Sequence, residues 1–139
     1  MALTTFSGPV RSLNGFIEGH QPTAFNAINA TATASAAQVA DGYITSTSAA
    51  ATTITLPTGT ALGAAVNASR GTVFDLFIDN TAGANTVTIA VNTNAILSTA
   101  AADTAGSFGD LTVAAGATGM ARFTIMFSSA TAYTFTRTA

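Results

Sequence analysis

Acyl or nucleophilic chemistry needs a base beside a nucleophile, and this chain offers one histidine, His20, and no cysteine. His20 sits in Gly19-His20-Gln21-Pro22, a turn-like context, and no Gly-x-Ser-x-Gly elbow accompanies it, so it reads as an exposed loop residue. Asp75 and Asp79 are the closest carboxylate pair in sequence. On one extended strand their four-residue spacing separates them by about 13 Å, beyond the ~5–9.5 Å that glycoside hydrolysis uses. Their expected task is to keep an aromatic strand from aggregating at its edge. Asp103 and Asp110 lie near glycines and read as turn residues. Zinc needs Cys and His combinations that are absent, calcium needs about six to eight oxygen ligands, and Asp79-Asn80 supplies too few. Gly106-Ser107-Phe108-Gly109 is followed by neither a Lys-Thr pair nor a helix start, which argues against a phosphate loop. Asn29-Ala30-Thr31 and Asn67-Ala68-Ser69 match the glycosylation pattern at a frequency that chance supplies in a chain this rich in Ser and Thr. The expectation is a protein without catalytic residues, metal or cofactor.

The composition points the same way. Four arginines, five aspartates and Glu18 are all the charge in 139 residues, and no lysine or tryptophan occurs. A charged fraction of 7% is far below the roughly one quarter usual in soluble domains, where charge keeps molecules apart. Leu, Ile, Val and Phe make only 31 of 139 residues, while much of the apolar content is alanine, whose methyl contributes far less than the about 1.5–3 kcal/mol of a buried Val, Leu or Phe. One domain is expected, with subunit contacts supplying part of its stability. Arg11, Arg70, Arg122 and Arg137 form no basic run, which excludes a nucleic-acid backbone as partner. The longest apolar stretch, around Ala61 to Val66, is much shorter than the about twenty residues of a membrane span. Residues near Met1 show no signal-peptide pattern, and the absence of cysteine is compatible with a reducing cytoplasm.

Two textures divide the chain. Over residues 1–38, Gly8-Pro9, Asn14-Gly15, Gly19 and Pro22 interrupt any regular pattern. Leu3, Phe6, Val10, Leu13 and Ile17 fall at coiled-coil spacing, but Pro9 and the glycines break such a helix, so an extended arm is expected. Asn29 to Ala37 is low-complexity, a flexible connector or a packed Ala-rich segment. From residue 39 to 139 the period becomes two. Thr53-Ile54-Thr55-Leu56-Pro57 alternates and stops at proline. Thr72 to Asp79 places Phe74, Leu76 and Ile78 on one face and Val73, Asp75, Phe77 and Asp79 on the other. Asn80 to Asn85 reads as a turn into Thr86 to Val91, which predicts an antiparallel pair. Ala121, Phe123, Ile125 and Phe127, a Ser128 to Thr131 turn, then Tyr133 and Phe135 predict another. Gly42 to Thr47, Ala95 to Ser98 and Leu111 to Val113 are shorter strand candidates. No segment beyond residue 40 has a convincing helical period. The fold class is all-β, a β-sandwich or jelly roll carrying an extended N-terminal arm.

Met120, Arg122, Thr124 and Met126 form the second face of their strand, neither plainly core nor plainly solvent. This face is either a partly exposed edge or a subunit seam, since Met and Arg are enriched in such contacts.

The order of motifs carries a resemblance. Ile54 to Pro57 (Ile-Thr-Leu-Pro) leads to the glycine-opened strand Gly71 to Asn80, an Asn-Thr-Ala-Gly turn, Thr86 to Ile89 (Thr-Val-Thr-Ile), a glycine-bearing turn at Ala114 to Gly119, and a final hairpin ending Tyr133-Thr134-Phe135. This resembles the β-domain of trimeric tailed-phage virion proteins, which include capsid decoration (cement) proteins and the tips of head or tail fibres. Phe6 to Phe16 (Phe-Ser-Gly-Pro-Val-Arg-Ser-Leu-Asn-Gly-Phe) resembles the start of small phage head proteins. The resemblance implies a homotrimer on the outer surface of the capsid that braces neighbouring major capsid subunits, made in the bacterial cytoplasm and located in the virion. Shell contact would fall to Phe6, Pro9, Val10, Arg11, Leu13, Phe16 and Ile17, and self-association to Met120, Arg122, Thr124 and Met126. The alternative is a trimeric head or tail fibre that recognises a host surface, with Tyr43, Tyr133 and Phe108 as the available sugar-stacking aromatics.

Overall fold

The computed structural model describes residues 26–97 and 111–139. The chain is mostly β, in two mixed sheets. Its elements are β1 (Ala32–Thr33), α1 (Ala36–Ala40), β2 (Tyr43–Thr45), β3 (Thr52–Thr55), α2 (Gly59–Ala65), β4 (Val73–Asp79), β5 (Val87–Ala90), β6 (Ala95–Leu97), β7 (Thr112–Val113), a 3-10 turn (Gly116–Thr118), β8 (Met120–Ser129) and β9 (Ala132–Arg137). One sheet runs β1-β3-β5-β7 and the other β2-β4-β8-β9-β6. From β1 to β8 each successive strand lies in the opposite sheet from the one before it, and only the β8–β9 hairpin stays within a sheet.

That alternation corrects the expected pairing of Thr72–Asp79 with Thr86–Val91. β4 lies between β2, which it pairs in parallel, and β8, which it pairs antiparallel; β5 lies in the other sheet, parallel to β3 and antiparallel to β7. The reason sits in the connection. Asn80, fully buried, donates through Nδ2 to the carbonyls of Asn85, Val113 and Ala114 at 2.9, 3.2 and 3.0 Å. The segment is thereby bound to the end of β7 and carries the chain across instead of reversing it.

The core lies where the two sheets' inward residues meet. Ile54, Val87, Ile89 and Val113 from one sheet join Ile44, Leu76, Ile78, Ala121, Phe123, Ile125, Phe127, Tyr133 and Phe135 from the other in a single buried cluster. The strict alternation in β8 and β9 puts their aromatics together: ring centroids are 6.2 Å apart for Phe123 and Phe135, 5.4 Å for Phe127 and Tyr133, and 6.5 Å for Tyr133 and Phe135. Tilted pairs at this range add about 0.5–1.5 kcal/mol each beyond area burial.

Residues 26–38 belong to this packed unit. Ser35 Oγ accepts from Gln38 N and Gln38 Oε1 from Ser35 N, a reciprocal cap that starts α1. Ala34 and Val39 are buried, β1 pairs with β3, and Ala27 bridges Thr45 at the outer side of β2. Residues 1–25, with the expected arm, lie outside the described residues.

Helix α2 corrects the expectation that no helix follows residue 40. Thr58 caps it through Oγ1, which accepts from Ala61 N at 3.2 Å, and Asn67, at φ 50, turns the chain out of it in the left-handed region. Its buried side presents Gly59, Leu62 and Gly63. A Cβ at Gly59 would run into the Thr131 carbonyl oxygen and one at Gly63 into that of Ala130, so the helix lies directly on the β8–β9 turn. An apolar period could not reveal a helix whose contact face is mostly glycine.

Candidate functional site

Met120, Arg122, Thr124 and Met126 share one face. β8 is an interior strand, with β4 on one side and β9 on the other, so this face is not an edge. The register extends it across the whole five-stranded sheet. Asp79 stands opposite Met120, Phe77 opposite Arg122, Asp75 opposite Thr124 and Val73 opposite Met126. Tyr43 is level with Phe77, Thr136 with Thr124, and Thr134 with both Met126 and Ile96. Of the six large apolar side chains exposed among the described residues, Val73, Phe77, Ile96, Met120 and Met126 all lie here; only Val91 lies elsewhere. Met126 is 51% exposed, while its strand neighbours Ile125 and Phe127 are sealed in the core.

The polar groups on the face are largely tied to one another. Tyr43 donates its hydroxyl to Asp79 Oδ2 at 2.5 Å, and Thr81 donates N–H and Oγ1–H to Asp79 Oδ1 at 2.9 and 2.6 Å. The hydrogen bonds from Thr81 and Tyr43 hold the Asp79 carboxyl below its ordinary pKa, against the opposing effect of burial. The Tyr43 hydroxyl is raised, first by its bond to Asp79, then by burial and by the charge of Asp79. On the next row Thr124 Oγ1 donates to Asp75 Oδ1 at 2.6 Å and lies 3.3 Å from Thr138 Oγ1, which accepts from Arg122 Nε at 3.0 Å. An acid and a base are thus joined through two threonine hydroxyls rather than by direct contact. Asp75 and Asp79 lie within β4, an interior strand, which corrects their expected role as guardians of an edge.

Comparison with protein-family models, with curated proteins and with solved structures gives no match. The reading therefore rests on this chain's own geometry.

Among the described residues no three His, Cys, Asp or Glu side chains gather as a metal site would require, and no helix is long and apolar enough to cross a membrane. Asn80, beside Asp79 in the pair that the sequence argued against as a calcium site, turns its amide nitrogen onto carbonyls. Tyr133, one of the aromatics available for sugar stacking, is fully buried and donates to the Pro57 carbonyl at 2.7 Å, so it forms no platform. His20, Asp103, Asp110, Gly106 to Gly109 with Phe108, and the shell-contact set Phe6, Pro9, Val10, Arg11, Leu13, Phe16 and Ile17 lie outside the described residues. Alternation alone places Val73 and Phe77 on one face of their strand and Met120 and Met126 on one face of theirs; the β4–β8 pairing joins the two.

Proposed function

We propose that this chain is a structural virion protein: a capsid decoration (cement) protein of a tailed phage, forming a homotrimer on the outer surface of the head and bracing major capsid subunits. The observation that carries the reading is the apolar, hydroxyl-lined face of the five-stranded sheet, where five large apolar side chains are exposed. Monomers rarely keep such a patch uncovered. Two mixed sheets closing on one core support a β-sandwich, although the parallel pairs β1–β3–β5, β2–β4 and β6–β9 depart from an antiparallel jelly roll. The shell contact is assigned to the N-terminal residues Phe6 to Ile17, which three joined subunits would present together so that modest contacts combine into slow release. Electron microscopy of the intact particle tests the role. Density for this chain dispersed over the head supports it, and density at a single vertex overturns it in favour of a fibre. Deleting residues 1–20 should abolish attachment to shells, and full attachment would refute the contact assignment.

A further inference from the structure

We infer that the outer face of the five-stranded sheet is covered by a second copy of this chain, with Arg122 of each copy pairing with Asp75 of its neighbour. The inference rests on the reading of the chain as an assembly protein but assigns the face to a sibling rather than to the capsid subunit; because the same face meets itself, the contact is two-fold and is separate from the three-fold association of the proposed trimer.

Charge complementarity selects the occupant. The face carries a guanidinium and two carboxylates in successive rows: Asp79 opposite Met120, Phe77 opposite Arg122, and Asp75 opposite Thr124. Both oxygens of Asp79 are engaged, by Tyr43 and by Thr81. Asp75 differs, because among the described residues only Oδ1 accepts a bond, from Thr124. Arg122 uses Nε on Thr138, and among the described residues its terminal nitrogens meet no acceptor and it forms no ion pair with Asp75 or Asp79. One acceptor and one forked donor therefore stay available on a single face. Two copies of the same face satisfy both, whereas an unrelated partner would have to supply both complements.

Five strands about 4.8 Å apart, with central strands about 20–25 Å long, give a projected footprint of roughly 400–500 Å², about half or more of the ~800 Å² of accessible surface that each partner gives to a standard interface. The composition is that of an interface centre: Met, Phe, Tyr and Arg with no lysine. Thr124 and Thr138 pre-set the two groups: Thr124, on β8, holds Asp75 at 2.6 Å, and Thr138, one residue past the end of β9, holds Arg122 Nε at 3.0 Å.

The test is mass measurement of the full chain by sedimentation velocity over a micromolar concentration range. The wild type should associate. Arg122→Asp and Asp75→Arg should each weaken association about 30-fold or more by placing like charges together. The double variant Arg122→Asp/Asp75→Arg should recover most of the wild-type affinity, a rescue that a merely structural role would not give. Met126→Asp should yield a folded monomer, with circular dichroism confirming the sheet. A monomeric wild type, unchanged association in Met126→Asp, or a double variant no better than the single ones would overturn the inference. Shell binding is scored separately: a monomer that still decorates heads sinks this interface and the homotrimer while leaving decoration of the head standing, and an associating chain that ignores heads sinks decoration while leaving the interface.

Discussion

Replacing Asn80 with alanine should cost far more than its place in an Asn-Thr-Ala-Gly turn would suggest. Its amide has two hydrogens shared among the carbonyls of Asn85, Val113 and Ala114, and the bond to Val113 is wholly buried. Counting two net hydrogen bonds at about 1 kcal/mol each, and one buried carbonyl left without a donor at about 1–3 kcal/mol, the loss comes to roughly 3–5 kcal/mol. Against a usual domain stability of about 5–15 kcal/mol this is a large share. Urea unfolding followed by circular dichroism, at fixed protein concentration, should show the midpoint falling by about 1.5–2.5 M for a denaturant slope of about 2 kcal/mol/M. Asn80→Asp separates chemistry from volume. It keeps the shape but turns an oxygen toward the three carbonyls, so it should be at least as unstable as the alanine variant at neutral pH. Asn85→Ala is the control, because the Asn85 side chain is exposed and, among the described residues, donates only to the Ala49 carbonyl; its cost should stay below about 1 kcal/mol. Equal costs for Asn80→Ala and Asn85→Ala, both within about 0.5 kcal/mol of wild type, would refute the claim that Asn80 clamps the crossing between sheets.

Other outcomes follow from the same contacts. Tyr133→Phe removes the donor to Pro57 O and should destabilise by about 1–2 kcal/mol in a denaturant titration. Burial raises the Tyr133 hydroxyl above its ordinary value, so its contribution is full below about pH 10 and is lost as the pH rises from there through the raised value; the phenylalanine variant should show a flatter alkaline unfolding profile. Asp79 behaves oppositely: its lowered carboxyl contributes stability above the ordinary value of about 4 that is lost as the pH falls through the lowered one, and Asp79→Asn should flatten the acid limb measured by thermal unfolding. Gly63→Ala pits helix propensity, about 1 kcal/mol in favour of alanine, against a Cβ driven into the Ala130 carbonyl. The close approach should win, with net destabilisation of about 1–3 kcal/mol in urea.

The strands were legible because their side chains alternate, and alternation is a local property. Phe74, Leu76 and Ile78, then Ala121, Phe123, Ile125 and Phe127, then Tyr133 and Phe135 announce their inward faces without reference to any partner. All but half-buried Phe74 are buried. Pairing was not legible to the same degree. The β8–β9 hairpin was, because its turn is short and nothing intervenes. The β4–β5 pairing failed because a polar stretch between two alternating runs is as compatible with a crossing as with a reversal. Here a single buried asparagine decides between them. The helix failed for a different reason, since Gly59 and Gly63 mark its contact face by lacking side chains. Of the candidate site, Met120, Arg122, Thr124 and Met126 were readable as a second face of one strand. Their union with Val73, Phe77 and Ile96 needed the long-range register.

Threonine has a specific use on such a sheet. A face meant to be covered must stay soluble until its partner arrives and then lose its water at small cost. Lysine or glutamate would satisfy the first demand and violate the second, because an imperfectly paired charge costs several kcal/mol on burial. A run of leucine or isoleucine would do the reverse and invite unspecific collapse. Thr45, Thr124, Thr134 and Thr136 sit between these limits: each offers a β-branched surface that packs on a pleated sheet and one hydroxyl that can bond locally. Thr124 already gives its proton to Asp75, so covering it strands no donor. The charge left on the face is then concentrated in a few fixed groups, where it can set register rather than hold neighbours apart. A chain with ten charged residues and none of them lysine follows from that division of labour, with apolar and hydroxyl groups supplying contact area and Arg122 with Asp75 supplying orientation.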